Sequence, residues 1–291
     1  MASRNEIVVK KEPSKSQSRS ASPIKLPRNV YYLGRTIGKG EYGTVVHAKM
    51  LTKHHRMIDL ACKIVDLNKT PQKYAKHFFK RELKILSQIN HPNIIETLSI
   101  IHQSSKIYIF MQYADNGDLL DYIKKNGSIG EEHAQRWFIE MLEAIDYLHS
   151  IDIAHRDLKC ENILISHTMN VKITDFGFAR YTTPESYSRT FCGSAAYAAP
   201  EVIVNTPYNP KISDAWSLGV ILFVMLNGTM PFKDDNRKKL IIDQQKKNYK
   251  YTKDVYWEIS NKTRTIVDNL LEANPLLRWT VNQTLKFEKL F

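Results

Sequence analysis

The chain has 291 residues, 43% hydrophobic and 25% charged, which is enough apolar material for a packed globular body of one or two domains. Its formal net charge of +12 suits acidic ligands or partners, a class that spans phosphates, nucleic acid and membrane surfaces. Three cysteines without paired spacing argue against a disulfide framework and for a reducing compartment. The N-terminus lacks the apolar core of a signal peptide, Ala2 leaves no myristoylation glycine, and Glu288-Lys289-Leu290-Phe291 is no prenylation box. The longest apolar stretch, Leu218 to Leu226, is about half the ~20 residues that a membrane span needs. A soluble, cytoplasmic protein is expected, with the nucleus as the alternative compartment and no membrane partner.

Residues 1–30 are rich in Ser, Lys, Arg and Pro, with seven basic residues against Glu6 and Glu12, and are expected to form a disordered basic tail. From Tyr31 to Val65, short runs with β-branched residues are broken by Gly38, Gly40 and Gly43, a β-like pattern. Residues 72–89 place apolar side chains at helical spacing, closed by Asn90-His91-Pro92. Two strand-like runs follow, near Glu96–Ile101 and Lys106–Gln112, and after Asp115-Asn116-Gly117 the texture is mostly helical. The first third is therefore β with one helix and the remainder α. That asymmetry predicts an α+β protein of two lobes, 31–113 and 114–291, with a hinge near Gln112–Asn116.

Gly38-Lys39-Gly40-Glu41-Tyr42-Gly43-Thr44-Val45 reads G-x-G-x-x-G-x-V, and glycines at this spacing let backbone N–H groups approach a phosphate. A dinucleotide-binding fold would place a helix directly after them. Here Thr44 to Ala48 continues as a strand, which excludes that fold. Lys63 follows in the next strand-like run, within Ala61-Cys62-Lys63, and taken alone it reads as a strand-edge charge. Behind a glycine loop it becomes a candidate for phosphate oxygens, with Glu82 on the following helix to orient it. Lys80, Arg81 and Lys84 flank Glu82, so a surface ion pair is its plainer interpretation.

Further along stand His155-Arg156-Asp157-Leu158-Lys159-Cys160-Glu161-Asn162, then Asp175-Phe176-Gly177, then Ala199-Pro200-Glu201. With the glycine loop, Lys63 and Glu82 they form the signature set of the eukaryotic protein kinases, in the same order and approximate spacing. The resemblance covers nearly all of the chain after residue 30. It implies the bilobal kinase fold, ATP and Mg²⁺ as cofactors, protein substrates, and an ATP site made by Ile37, Gly38, Lys39, Gly40, Glu41, Tyr42, Gly43, Val45, Ala61, Lys63 and Glu82. Asp175 and Asn162 would hold metal through hard oxygen atoms. Asp157 would accept or orient the substrate hydroxyl proton while Lys159 steadies the γ-phosphate. Lys159 and Ser194 resemble the Ser/Thr-specific kinases, where the Ser194 hydroxyl would bond both Asp157 and Lys159. Asp214 and the pair Glu201–Arg278 resemble scaffold residues, and His155 a packing residue with no acid–base role.

Phosphate on a hydroxyl near Arg156 would pair with the arginine and order the segment. Among Thr182, Thr183, Ser186, Ser188 and Thr190, alignment to calcium/calmodulin-kinase-like enzymes selects Thr190, three residues before Gly193, as the target of an upstream activating kinase. Asp118 and Glu161 match positions that bind arginine upstream of a phosphosite, whereas Val224 stands where strongly arginine-dependent kinases add a carboxylate. Within the group, Thr190 to Glu201 resembles the testis-specific serine/threonine kinases, which implies a role in sperm development. Ala215 and Gln112 depart from common kinase choices without touching a catalytic group. A pseudokinase scaffold would have lost Lys63, Asp157 or Asp175, and all three are present. Another branch of the calcium/calmodulin-kinase-like group is the nearer alternative. Nucleic acid is not expected as a partner, because no interleaved aromatic motif accompanies the basic residues; a monomer is expected.

Overall fold

In a computed structural model the described residues are 9–11, 30–40, 43–71, 79–183, 187–188 and 193–290. The chain divides into two compact units, one drawn from the chain up to Ser87 together with Ile95–Ala114, the other from Gln88–Ile94 and the chain from Asp115 onward.

The first unit is built on a sheet of order β1-β2-β3-β4-β6-β5. Its long strands are β2 (Val30–Lys39), β3 (Thr44–Leu51), β4 (Met57–Asp66), β5 (Thr97–Gln103) and β6 (Lys106–Gln112), all paired antiparallel. Alternation sorts their side chains by face. Val46, Ala48 and Met50 of β3 stand against Leu60 and Cys62 of β4, with Tyr31 stacked on Phe110 at 4.1 Å. Val65, Ile107 and Ile109 pack instead with Phe79, at the start of α1 (Lys80–Leu86).

Three expectations are amended here. The predicted tail contributes β1 (Val9–Lys11), which runs parallel to β2 with Val9 opposite Tyr31. The β-branched Ile7-Val8-Val9 run supplies a local strand preference within an otherwise polar segment. The predicted helix over 72–89 is described only from residue 79, and it ends at Leu86, where the Ser87 hydroxyl turns back to donate to the Lys84 carbonyl. Residues 88–94, which the sequence assigned to the first lobe, belong to the second unit. There Asn93 donates through Nδ2 to Glu140 Oε2 at 3.0 Å and to the Val171 carbonyl at 3.1 Å.

The second unit is mostly helical: α2 (Leu119–Asn126), α3 (Glu131–Ser150), α4 (Pro200–Ile203), α5 (Pro210–Asn227), α6 (Arg237–Gln245), α7 (Lys253–Glu258), α8 (Asn261–Leu270) and α9 (Val281–Leu290). Short two-stranded pieces lie among them, β7 (Ile153–Ala154) with β10 (Arg180–Tyr181) and β8 (Ile163–Ile165) with β9 (Val171–Ile173). The apolar Leu218–Leu226 run forms the buried centre of α5, which Asn209 caps by accepting from the Lys211 amide. Among the described residues no helix is long and apolar enough to cross a membrane.

Arg278 ties the C-terminal helices to α4. Its guanidinium reaches Glu201 in a bidentate pair at 2.6 and 2.9 Å, and the arginine is 3% exposed. Arg278→Met is expected to lower the unfolding free energy by about 3–5 kcal/mol, because Glu201 is left as a largely buried charge without its partner. Urea denaturation of the two proteins measures that difference.

Candidate active site

The first unit carries the glycine turn that joins β2 to β3. Gly38 lies opposite Val45 and Lys39 opposite Thr44, and the Gly40 amide closes the turn on the Gly43 carbonyl at 2.8 Å. Glu41 and Tyr42 lie outside the described residues. A Cβ on Gly43 would stand 2.9 Å from the Ile64 carbonyl oxygen, so only glycine fits there. Lys63 is paired with Val45 across the β3–β4 ladder, which puts Val45, Lys63 and, two residues along, Ala61 on one face of the sheet. Ile37 is largely exposed on β2. Lys63 Nζ donates to Glu82 Oε1 at 2.7 Å, and Glu82 is only 2% exposed. The flanking basic residues therefore do not decide the role of Glu82; a buried carboxylate engaged with the strand lysine does.

In the second unit the loop from His155 to Asn162 is held from behind. Asp214 on α5 accepts the His155 amide at 2.9 Å and the Arg156 amide at 2.8 Å. Arg156 adopts φ 70°, a strained region for a side chain of its size. The His155 ring accepts from the Asp157 amide through Nδ1, so Nε2 carries the proton and donates to the Thr174 carbonyl at 3.1 Å. Both ring nitrogens are thereby committed to backbone groups, which fits a packing role.

Asp157 is 4% exposed, and its two carboxylate oxygens differ. Oδ2 meets Lys159 Nζ at 3.0 Å and Asn162 Nδ2 at 3.1 Å, whereas Oδ1 is buried with no hydrogen-bond partner. A buried acceptor left open in this way is costly unless something else fills it, and here it is the atom suited to a hydroxyl proton. Asn162 spends its amide nitrogen on the Asp157 carbonyl and carboxylate, which leaves its amide oxygen as the group suited to a cation. Asp175 sits at φ 64° and accepts from the Gly177 amide at 3.4 Å. Among the described residues no group of three or more His, Cys, Asp or Glu side chains forms a cation cage. Two oxygen donors fit a hard divalent ion that completes its shell with phosphate and water, and Asn162 and Asp175 would hold it.

Lys159 Nζ also reaches the Ser194 hydroxyl at 3.3 Å. The expected second bond, from Ser194 to Asp157, does not form. Gly193, at φ 84°, stands beside Asp157 Oδ1 instead, and a Cβ there would lie 3.0 Å from that oxygen and 2.9 Å from the Arg156 carbonyl. The Ser217 hydroxyl on α5 donates to the Tyr197 carbonyl at 2.9 Å and so fixes the far end of the Ser194 loop. Sequence reasoning missed Ser217, whose small polar side chain inside an apolar helix has no spacing signal. Arg156 Nη2 meets the Ser188 and Tyr208 hydroxyls at 3.2 and 3.3 Å. Thr190 lies outside the described residues. Asp118 is the N-cap of α2, accepting from the Asp121 amide, and burial pushes its carboxyl above the usual range against that hydrogen bond. Glu161 is exposed. Burial raises the thiol of Cys62 and pushes that of Cys160 up to about 12, so both stay protonated and unreactive; Cys192 lies outside the described residues.

The family model for the protein kinase domain matches residues 31–288. The chain belongs to the protein kinase family. The kinase is 40% identical over 259 residues to testis-specific serine/threonine-protein kinase 3 of Mus musculus, covering 88% of this chain and 94% of that protein. It is 37% identical over 266 residues to testis-specific serine/threonine-protein kinase 1 of Mus musculus, covering 89% of this chain and 72% of that one. To the probable serine/threonine-protein kinase MARK-A of Dictyostelium discoideum it is 35% identical over 258 residues, 88% of this chain but 23% of the relative. The kinase is thus a serine/threonine protein kinase, acting with ATP and a divalent metal on protein substrates.

Proposed function

We propose that this kinase moves the γ-phosphate of Mg²⁺-bound ATP onto serine or threonine with Asp157 as the group that takes or orients the hydroxyl proton. The unpartnered, buried Oδ1 of Asp157 carries this proposal. Mg²⁺, when held by Asn162 and Asp175, supplies charge neutralisation to the phosphates. Lys159, 3.0 Å from Asp157 Oδ2, keeps the carboxylate turned and presents its own charge to the transferred group. In the first unit, Glu82 holds the Lys63 ammonium for nucleotide phosphates, and Ile37, Gly38, Lys39, Gly40, Gly43, Val45 and Ala61 line the nucleotide site. In the transfer, a bond forms between the hydroxyl oxygen and the γ-phosphorus while the bond to the β-phosphate oxygen breaks, and the hydroxyl proton goes to Asp157.

Asp118 and Glu161 support a preference for arginine three residues upstream of the phosphosite. Val224, buried on α5, stands where strongly arginine-dependent kinases add another carboxylate, so the preference is moderate. Kinship with proteins named testis-specific supports a role in sperm development; enrichment of the protein in developing male germ cells checks this, and its absence there would reject it. An upstream kinase acting on Thr190 would supply a phosphate for Arg156, whose guanidinium also meets the Ser188 and Tyr208 hydroxyls.

Incubating the protein with labelled ATP and a positional peptide library tests the chemistry and the preference together. Label is expected on serine and threonine with arginine enriched at the third upstream position, and Asp157→Asn is expected to lose activity by roughly 10²–10⁴-fold. Equal turnover by the variant would remove Asp157 from the chemistry, and a flat scan would remove the arginine preference. Thr190→Ala is expected to lower activity at least about tenfold, the loss of roughly one charge-assisted hydrogen bond. Unchanged initial rates after treatment with an activating kinase would refute that role.

A further inference from the structure

We infer that Gln244 is a positioning residue for the loop that receives the protein substrate, an inference that rests on assigning Ser194–Ala198 to substrate binding. Gln244 stands near the end of α6 and is fully buried. Its Nε2 donates to the Ala198 carbonyl at 3.0 Å, while its Oε1 is buried with no partner. The assignment of nitrogen and oxygen follows from chemistry, since a carbonyl only accepts.

For packing alone, glutamine is the wrong residue here. Leu240, one helical turn earlier on the same face, is 1% exposed, and a leucine or methionine at 244 would extend that apolar stripe but take the donor from the Ala198 carbonyl. The one hydrogen bond gained in return goes to a carbonyl at the end of the substrate loop. Local rules broken in this way cluster at functional positions.

The consequence lies in what that loop does. The Tyr197 carbonyl is fixed by Ser217 on α5 at 2.9 Å, and the next carbonyl, Ala198, by Gln244 on α6. The same loop opens with Gly193 beside Asp157 Oδ1 and Ser194 on Lys159. Two consecutive carbonyls, each held from a different helix, therefore set where the loop lies relative to Asp157. Lys63 and Glu82 belong to the other unit. Gln244 thus governs the protein substrate and leaves the nucleotide alone.

Gln244→Met and Gln244→Leu in the full chain test this, using a serine peptide that the wild-type protein phosphorylates. The expected result is a peptide KM raised about threefold to tenfold, the effect of one neutral hydrogen bond, with the ATP KM and kcat at saturating peptide within about twofold. Melting temperature is expected to change little, because the variants exchange one orphaned acceptor, Gln244 Oε1, for another, the Ala198 carbonyl. An unchanged peptide KM would overturn the proposal, as would an equal rise in the ATP KM. Loss of folding in both variants would also overturn it, by making Gln244 a core support only. Failure of the wild-type protein to phosphorylate any serine peptide would instead strike the functional reading beneath it.

Discussion

A single carboxylate, that of Asp214, holds the catalytic loop in the shape on which its chemistry depends. It is 1% exposed, and it accepts hydrogen bonds from the His155 amide, the Arg156 amide and the His149 ring, at 2.9, 2.8 and 2.9 Å. Burying a carboxylate is expensive unless its lone pairs are satisfied, and here three donors satisfy them. Two of these donors, the His155 and Arg156 amides, come from a loop nearly sixty residues earlier in the chain, at separations of 59 and 58. Arg156 has a backbone conformation that costs about 1–3 kcal/mol, and such strain persists only where the surroundings over-determine it. Asp214 supplies that determination. The residue after the strained one is Asp157.

From Asp157 the polar order extends outward in short steps. One of its oxygens is taken by Lys159 and Asn162, and the other is left open. Lys159 continues to Ser194, and the loop after Ser194 is pinned by side chains from α5 and α6. Each link is a contact between side chains or carbonyls that are mostly withdrawn from water, where a hydrogen bond is stronger and a missing one more costly. The Lys63–Glu82 pair is made separately, from a strand and a helix of the first unit. Each unit thus carries its own polar cluster, Lys63 with Glu82 in the first and the Asp157 loop in the second.

Much of this was legible because the chemistry restricts the side chains. Asp157, Asn162 and Asp175 stand in the order and approximate spacing of the protein-kinase signature set, so the resemblance points to them as candidates. The alternation of Val46, Ala48 and Met50 likewise announces a sheet with one buried face. What stayed hidden depends on partners distant in the chain. Asn93, just after the Asn90-His91-Pro92 helix stop, carries no spacing signal, yet its amide belongs to Glu140 and Val171, 47 and 78 residues away. Ser194 was expected to serve both Asp157 and Lys159, but no pattern of residues foretells that Gly193 takes the place beside Oδ1. Ser217 and Gln244 are single polar residues in helices, and only the packed fold shows which carbonyls they hold.

The dependence of the chemical step on the buried carboxylate is most directly tested by single-turnover phosphorylation of a serine peptide with Asp214→Asn. Asparagine keeps the shape but turns an N–H toward one of the loop amides, so the loop should shift without the fold being lost. A displacement near 1 Å at a reacting group costs on the order of 10²-fold, and a slowing of that size is the predicted result for the folded variant. A folded Asp214→Asn protein that transfers phosphate at the wild-type rate would contradict the account.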